Sequence, residues 1–487
     1  MSIVTKKQTN ASKILKLVNG LELFTDPSGV AWIGLPNGSY PEYVPLKSTK
    51  FSGWIARKFY ETYGNPVGQK ALEDARGVLY GLAADTVRQV YVRVANLEDR
   101  VIVDLGRSYV EITAQGWQIT DRPPVPFRRP AGMLPLPIPE PQYDGRLEDT
   151  LEEVIGFSNK ELILIVGWII GAYGSNDFPI LILNGEQGSG KSTLAEILKG
   201  LIDPSEVPLR SVPRDEQGLA VAAVNSWVVA LDNLSGVPDW LSDGLCRIST
   251  GAGYSARKLY FDLEETFAKT QRPVILNGIP ELVSRGDLQD RSIVITLPAI
   301  SDLQRRSKAD ILSAFRSRLP ILLGQVFDAV SAAIRLKDVT TINGGLPRMA
   351  DFAQWAARGC VVAAWNGGTE FLRAYAENRQ TATLALLDLS PIAQELQKFA
   401  SKHKNWMGTI SDLRDNLVLI AGPSTATERI IQNMSLKAFS AELRRLAPVL
   451  RCTGLEISFK GLQRINGIVG RFVEIADLSV PQKVKVL

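Results

Sequence analysis

Residues 178–198 read FPILILNGEQGSGKSTLAEIL, and no other stretch restricts the fold as much. FPILILNG is a continuous apolar run, the pattern of a parallel strand covered on both faces. Gly185, Gly188 and Gly190 follow, then Leu194, Ile197, Leu198 and Leu201 recur on one helical face. Strand, glycine loop and helix in direct succession predict an α/β unit with further parallel strands beside the first. The spacing G-x-x-x-x-G-K-S predicts a loop whose backbone N–H groups face phosphate oxygens. The expected ATP-binding residues are Gly185, Glu186, Gln187, Gly188, Ser189, Gly190, Lys191, Ser192 and Thr193. Lys191 would reach the β- and γ-phosphates and Ser192 would hold Mg2+, with the helix N-terminus adding to the anion site.

Three later strands are expected. WVVAL ends on Asp232, a carboxylate placed to share the Mg2+ shell with Ser192. PVILN ends on Asn277, an amide placed to orient an attacking water. SIVITL follows RGDLQDR, which carries Arg285 and Arg291. Phosphoryl transfer needs positioning and charge stabilisation, so Lys191, Asp232, Asn277 and Arg291 form a coherent catalytic set. Singly each has a plainer role: Asp232 could cap a helix, Asn277 make a turn, Arg291 sit in solvent.

With 487 residues the chain exceeds one hydrophobic core and should divide into roughly three or four domains. The expected division is a mixed, β-rich N-terminal domain (1–120), a strap (121–143), the ATPase core with a helical lead-in (144–300), a helical subdomain (301–389) and a C-terminal domain (390–480). Within the first, VYVRVANLEDRVIVDLGRSYVEITAQGWQIT alternates with period two between turns and predicts a β-meander. The strap holds eight prolines in the 22 residues from Asp121, a density that favours extended chain. From Ser390 the pattern reads helix, a turn at WMGT, two more helices, and two short strands, LEISF and GRFVEIA. That is the order of a winged helix.

The formal net charge is only +4, yet residues 392–487 carry 14 Lys and Arg against 8 Asp and Glu. The surplus of basic charge therefore lies entirely at the C-terminal end, where Arg444, Arg445 and Arg451 fall on one predicted helix and Lys460, Arg464 and Arg471 near the hairpin. A DNA-contacting face is expected there, a protein-docking winged helix being the alternative. His403 is the single histidine and no Asp-x-Asp occurs, which excludes histidine-based nuclease chemistry and paired-Asp polymerase sites. Three scattered cysteines fit a reducing, cytoplasmic setting without zinc or disulfides. The most apolar run, ELILIVGWIIGAYG, is too short to cross a bilayer, so no membrane association is expected.

The order of glycine loop, Asp-strand, Asn-strand and Arg resembles the AAA+ ATPases of the superfamily-3 helicase type. STGAGYSARKLYFDLEETFAKTQRPVILNG is similar to phage and plasmid primase-helicases and to mobile-element ATP-binding proteins. SWVVALDNLSG, LPRMADFAQWA and NWMGTISDLRDNL add to the likeness, which covers about residues 90–475. The resemblance implies a P-loop AAA+ core with a helical lid, a β-rich N-terminal domain and a C-terminal winged helix. It implies ATP and Mg2+ as cofactors, a hexameric homo-oligomeric ring, and single-stranded or forked DNA as partner. It also implies that Arg291 reaches a neighbouring subunit's nucleotide, and that ARKLY opens a hairpin touching DNA through Arg257 and Lys258. Arg444, Arg445 and Lys460 complete the expected DNA contacts.

Two departures from that pattern matter. The family's acidic residue after the strand carboxylate is here Asn233, which is no base, leaving Asp215 or Glu216 as substitutes. The hairpin turn is acidic at Asp262, Glu264 and Glu265, with Lys269 on its flank, so the hairpin could instead pack against a neighbouring subunit. The expected function is an ATP-dependent replicative helicase or helicase-like initiator of a mobile element. A weakly hydrolysing loader or switch is the alternative that Asn233 favours. A small-molecule kinase fits less well, because the trans-acting Arg and the basic C-terminal domain would have no use in one. Arg348, in LPRMADF, reads equally as a lid sensor and as a helix-start residue.

Overall fold

The computed structural model describes the chain apart from residues 1–7, 39, 157–160, 252–253, 258–264, 269, 279–285, 302–304, 340–346, 365–366, 466–467 and 478–487. The N-terminal part opens with α1 (Asn10–Leu17), followed by the antiparallel strands β1 (Leu23–Thr25), β2 (Ala31–Leu35) and β3 (Glu42–Pro45). Two helices, α2 (Thr49–Tyr63) and α3 (Gln69–Ala83), cover that sheet. Ser48 caps α2 by accepting from the Phe51 N–H, and Gly64 ends it at φ 72, where glycine carries no Cβ penalty. Phe51, Ile55 and Phe59 lie four apart on one face and are fully buried with Ile33 and Leu79.

Four strands, β4 (Val94–Asn96), β5 (Val101–Asp104), β6 (Tyr109–Thr113) and β7 (Gly116–Thr120), form an antiparallel meander in chain order. Its inward residues Val94, Val101, Val103, Val110 and Ile112 share a core with α4 (Leu147–Ile155) and α5 (Leu162–Gly174), not with α1–α3. Residues 1–120, grouped as one unit from the sequence, are thus divided between two cores. The intervening residues 121–143 form only isolated bridges, at Phe127 and Met133.

The central sheet carries β8 (Ile180–Gly185), α6 (Lys191–Ile202), α7 (Glu216–Val224), β9 (Val229–Leu234) and α8 (Asp239–Thr250). A hairpin, β10 (Tyr254–Arg257) with β11 (Glu265–Ala268), precedes β12 (Val274–Gly278), the short α9 (Gly286–Gln289) and β13 (Ser292–Leu297). The strand order is β13-β8-β12-β9 and every pairing is parallel. Alternate residues serve opposite faces: Leu181, Leu183 and Ile275 join the α5–α6 core, whereas Ile180, Ile182 and Leu276 join the α7–α8 core. The fold is therefore a mixed α/β one around a parallel sheet. On the outer side of β13, the Asn378 side chain receives the Val294 N–H at 3.0 Å and donates to the Val294 carbonyl at 2.6 Å.

Asn378 belongs to α12 (Gly367–Leu389), which follows α10 (Lys308–Arg335) and α11 (Ala350–Ala363). By length and composition α10 could cross a membrane, but 67% of its apolar window is buried inside the protein. All thirteen residues of α5 are buried. Gly167, Gly171 and Gly174 let α11 and α12 approach it: a Cβ there would lie 2.2, 2.5 and 2.2 Å from ring atoms of Phe371, Phe352 and Trp355.

The last unit comprises α13 (Pro391–His403), β14 (Asn405–Thr409), α14 (Ile410–Ala421), α15 (Ala426–Asn433), α16 (Leu436–Arg451), β15 (Leu455–Ile465) and β16 (Ile468–Asp477). WMGT, expected as a turn, is strand: β14 pairs antiparallel with β16, Trp406 opposite Ile475, giving the order β14-β16-β15. Only a partner about seventy residues away satisfies its backbone, so no local pattern announces it. The two strands expected as short run to 11 and 10 residues, and three helices rather than two follow β14.

One buried polar network joins these parts. Arg93, fully buried at φ 59, donates to Asp203 Oδ1 at 3.2 Å and to the carbonyls of Asp104, Leu134 and Pro204. Asp203 also accepts from Lys199 Nζ at 2.5 Å and from the Trp227 and Val228 N–H groups. Burial opposes charge on Asp203, but Lys199 and Arg93 outweigh it and hold the carboxyl below its ordinary 3.8. Asp203→Asn should cost about 3–5 kcal/mol, because two buried cations lose their counter-charge. A depressed carboxylate stabilises the fold above its unfolded pKa and loses that contribution as pH falls through the folded value. Urea midpoints for the parent and Asp203→Asn should therefore differ at neutral pH and draw together as pH falls below the carboxyl's ordinary 3.8 and on through its lowered folded value. Midpoints that stay equally far apart at low pH would show that the carboxylate's charge is not what stabilises.

Candidate nucleotide site

The carboxyl ends of β8, β9 and β12 lie at one edge of the sheet, and the glycine loop closes over that edge. Gly185 stands at φ 146, where a Cβ would lie 2.7 Å from Ser189 Oγ and 2.8 Å from the Leu297 carbonyl. Gly188 and Gly190 take φ 82 and 85, and α6 starts directly after Gly190. Lys191 Nζ donates to the carbonyls of Gly185 at 2.7 Å and Glu186 at 2.6 Å, so its charge is held at the loop's centre. Glu186, Gln187 and Gly188 are exposed at the crest; Ser189 is buried and Thr193 half-buried on the first turn of α6.

Behind the loop three side chains from three elements meet. Asn277 Nδ2, on β12, donates to Asp232 Oδ1 at 2.5 Å and to Ser192 Oγ at 2.8 Å. Ser192 Oγ lies 3.2 Å from Asp232 Oδ1. Asn277 is buried, Asp232 half-buried and Ser192 exposed, so the cluster opens towards the loop. A hydroxyl and a carboxylate are hard oxygen donors suited to Mg2+, which commonly takes one or two protein ligands and fills its shell with water and phosphate. No group of three or more His, Cys, Asp or Glu among the described residues could cage a metal by itself.

Asn233 has a role that its chemistry in the sequence did not suggest. It stands at φ 58, in the left-handed region, and its N–H donates to Asp232 Oδ1 at 2.9 Å. Asparagine enters this region more readily than most residues. The position therefore fixes the Asp232 carboxylate through the backbone. The two substitute bases are otherwise engaged: Asp215 caps α7 by accepting from the Gly218 N–H at 2.7 Å, and Glu216 pairs with Arg247 at 3.2 Å.

Arg291 does not join the cluster. Ser292 pairs with Ile180 and Leu297 with Gly185, so Arg291 sits at the opposite edge of the sheet, donating to the Asp287 carbonyl at 2.9 Å. Arg348 and Arg379 both pair with Asp290, at 3.5 and 3.8 Å. Lys258, Asp262, Glu264, Lys269 and Arg285 lie outside the described residues, and for Arg257 and Glu265 only the backbone is described, paired with each other across β10 and β11.

In the C-terminal unit Arg445 forms a two-pronged pair with Glu442, and Lys460 pairs with Glu474 at 2.8 Å. Arg444 instead lies over the Phe459 ring, 4.1 Å from its centroid, beside a groove of about 560 Å³ that Lys437 and Arg471 also line. None of Lys437, Arg444 and Arg471 has a carboxylate within ion-pair distance among the described residues. The sequence reading left Lys437 without a role and mentioned Arg471 only as lying near the hairpin. Their lack of acidic partners depends on three-dimensional pairing that spacing does not reveal. Also missed was a cleft of about 870 Å³ beside the loop, lined by Arg305, Arg306 and Lys308. The signal available was RRSK, separated by seven residues from the end of the SIVITL strand.

Residues 148–378 match the family model described as actinomycete integrative conjugative element replication protein, and residues 392–483 match the AICE RepA C-terminal domain. No curated protein matches the chain. Among solved structures it is similar to "SCCmec type IV Cch - active helicase", with 13% identity, 94% of this chain and 93% of that one covered, and a TM-score of 0.45. It is also similar to the NrS-1 C-terminal region in its apo A form, with 13% identity, coverages of 97% and 100%, and a TM-score of 0.41.

The backbone at Asn233 generates a test. Asn233→Gly should leave the thermal midpoint nearly unchanged, whereas Asn233→Glu should cost about 1–2 kcal/mol because glutamate resists the left-handed region. Equal midpoints for the two variants would show that the conformation is not constrained. Any turnover gained in Asn233→Glu must be measured against that loss.

Proposed function

We propose that this chain, whose central and C-terminal regions fall in the replication-protein family of integrative conjugative elements, is a Mg2+-dependent ATPase that acts on the element's DNA. The observation that carries the proposal is the Ser192–Asp232–Asn277 cluster behind a glycine loop centred on Lys191. Lys191 neutralises phosphate charge while the loop's N–H groups and the start of α6 position the chain of phosphates. Ser192 and Asp232 would hold Mg2+, which when bound supplies charge neutralisation at the phosphates. Asn277 locks that pair through its amide nitrogen, and its amide oxygen faces the task of orienting water. The parallel-sheet unit is read as a P-loop AAA+ core, α10–α12 as its lid, and α13–β16 as a winged helix.

The DNA-acting part rests on the groove bearing Lys437, Arg444 and Arg471, three cations without acidic partners among the described residues. Arg445 and Lys460, already paired, contribute less. Arg291, at the far edge from its own loop, serves the nucleotide of a neighbouring copy in a homo-oligomeric, hexameric ring. The work done is unwinding or initiation at single-stranded or forked DNA. A second reading, a loader or switch with slow hydrolysis, is favoured by one observation: among the described residues no carboxylate other than Asp232 lies in the cluster.

Turnover of Mg2+–ATP with and without forked DNA, scored beside strand displacement, separates these readings. Lys191→Ala should abolish turnover and leave the unfolding midpoint in place, since its Nζ contacts only the loop. Parental turnover in that variant would remove the loop from the active site. Brisk DNA-stimulated turnover with displacement supports the helicase; nucleotide binding with turnover below about one per minute and no displacement supports the switch, as expected when general-base help worth about 10²–10⁴ is missing.

A further inference from the structure

The cleft of about 870 Å³ has the glycine loop as one wall. Ile300, Arg305 and Arg306, which lie between β13 and α10, and Ile311 on α10 also line it. The end of α4, at Ile155 and Gly156, closes it. Two distances orient the guanidinium groups. A Cβ built on Gly188, at the loop's crest, would lie 3.6 Å from Arg305 Nη2. One built on Gly156 would lie 3.6 Å from Arg306 Nη1. Arg305 thus stands over the phosphate loop and Arg306 over the far end of the cleft. No Asp or Glu is among the described residues that line it. Lys308 is paired with Glu196 at 2.5 Å, whereas Arg306 has no carboxylate within ion-pair distance among the described residues.

We infer that Arg305 and Arg306 hold a nucleoside triphosphate from within the same chain, Arg305 on the polyphosphate and Arg306 on the base. The inference rests on the nucleotide reading of the loop and extends it. A ligand whose phosphates occupy the loop has its sugar and base directed along the cleft, towards Ile155, Ile300 and Ile311. Those side chains offer an apolar slot for a ring, and a planar guanidinium stacks on an aromatic face in a way an ammonium does not. Over the loop, the same group is a charged donor to phosphate oxygens, and a hydrogen bond to a charged group changes affinity by about tenfold or more. Arg291, the arginine of the sequence motif, lies at the other edge of the sheet and cannot do either task for its own chain. Arg305 and Arg306 are exposed, so replacing them should not disturb the fold.

The test is displacement of a fluorescent ATP analogue from the full-length protein by Mg2+–ATP and by inorganic tripolyphosphate, at two salt concentrations. Arg305→Ala should weaken both competitors about tenfold or more, with a shallower salt dependence, and Arg305→Lys should recover most of the loss. Arg306→Ala should weaken ATP while leaving tripolyphosphate near the parental value, and Arg306→Lys should not restore ATP. Parental affinities in both alanine variants would overturn the inference and leave the nucleotide reading standing. Failure of the parent protein to bind the analogue, or undiminished binding in Lys191→Ala, would overturn the nucleotide reading and this inference with it.

Discussion

A guanidinium sealed from water is the constraint on which the rest of the arrangement depends. Arg93 loses its hydration and takes a left-handed backbone, both unfavourable, and is retained because four acceptors surround it. Those acceptors come from the meander, the proline-rich strap and the turn that ends α6. Asp203 then passes the restraint to the start of β9 through the Trp227 and Val228 N–H groups. Arg129 adds a second fastening, a two-pronged pair with the buried Asp104. One end of α6 is therefore fixed by a buried ion network while its other end carries Lys191 and Ser192. The glycine loop thus leads into a helix whose far end is anchored by buried charges.

Much of the central unit was legible in the sequence because its signals are local. The apolar FPILILNG run, the three glycines and the helical leucine spacing all report on neighbours within a few residues. The period-two alternation of residues 90–120 gave four strands for the same reason. What the sequence hid depends on distant partners. WMGT has no strand signature of its own and becomes β14 only beside β16. The meander was assigned to an N-terminal domain because it precedes the prolines, yet its inner face found a better apolar partner in α5 and α10. Asn233 looked like a lost base, whereas its backbone angle supplies a reason for asparagine. Basic residues at the C-terminal end were counted as equals, but Arg445 and Lys460 pair with Glu442 and Glu474, whereas Lys437, Arg444 and Arg471 line one groove with no carboxylate in ion-pair distance among the described residues. Charge census is a sequence property; charge availability is a property of the fold.

The packing of α5 follows the same logic of distant partners. A helix apolar on every side has no solvent face to orient it, and Gly167, Gly171 and Gly174 give it one surface that the rings of Phe371, Phe352 and Trp355 can enter. That seats α11 and α12 against α5, and α12 brings Asn378 to β13.

The amide of Asn378 imitates a strand residue, giving and receiving one hydrogen bond with Val294 where another strand could otherwise add. On the opposite flank, the backbone of Arg210 meets β9, its carbonyl accepting from the Asp232 N–H and its N–H donating to the Ala230 carbonyl. Val294 on one border and Ala230 and Asp232 on the other are thus already engaged, so at those positions the parallel sheet offers no open backbone groups to a further strand.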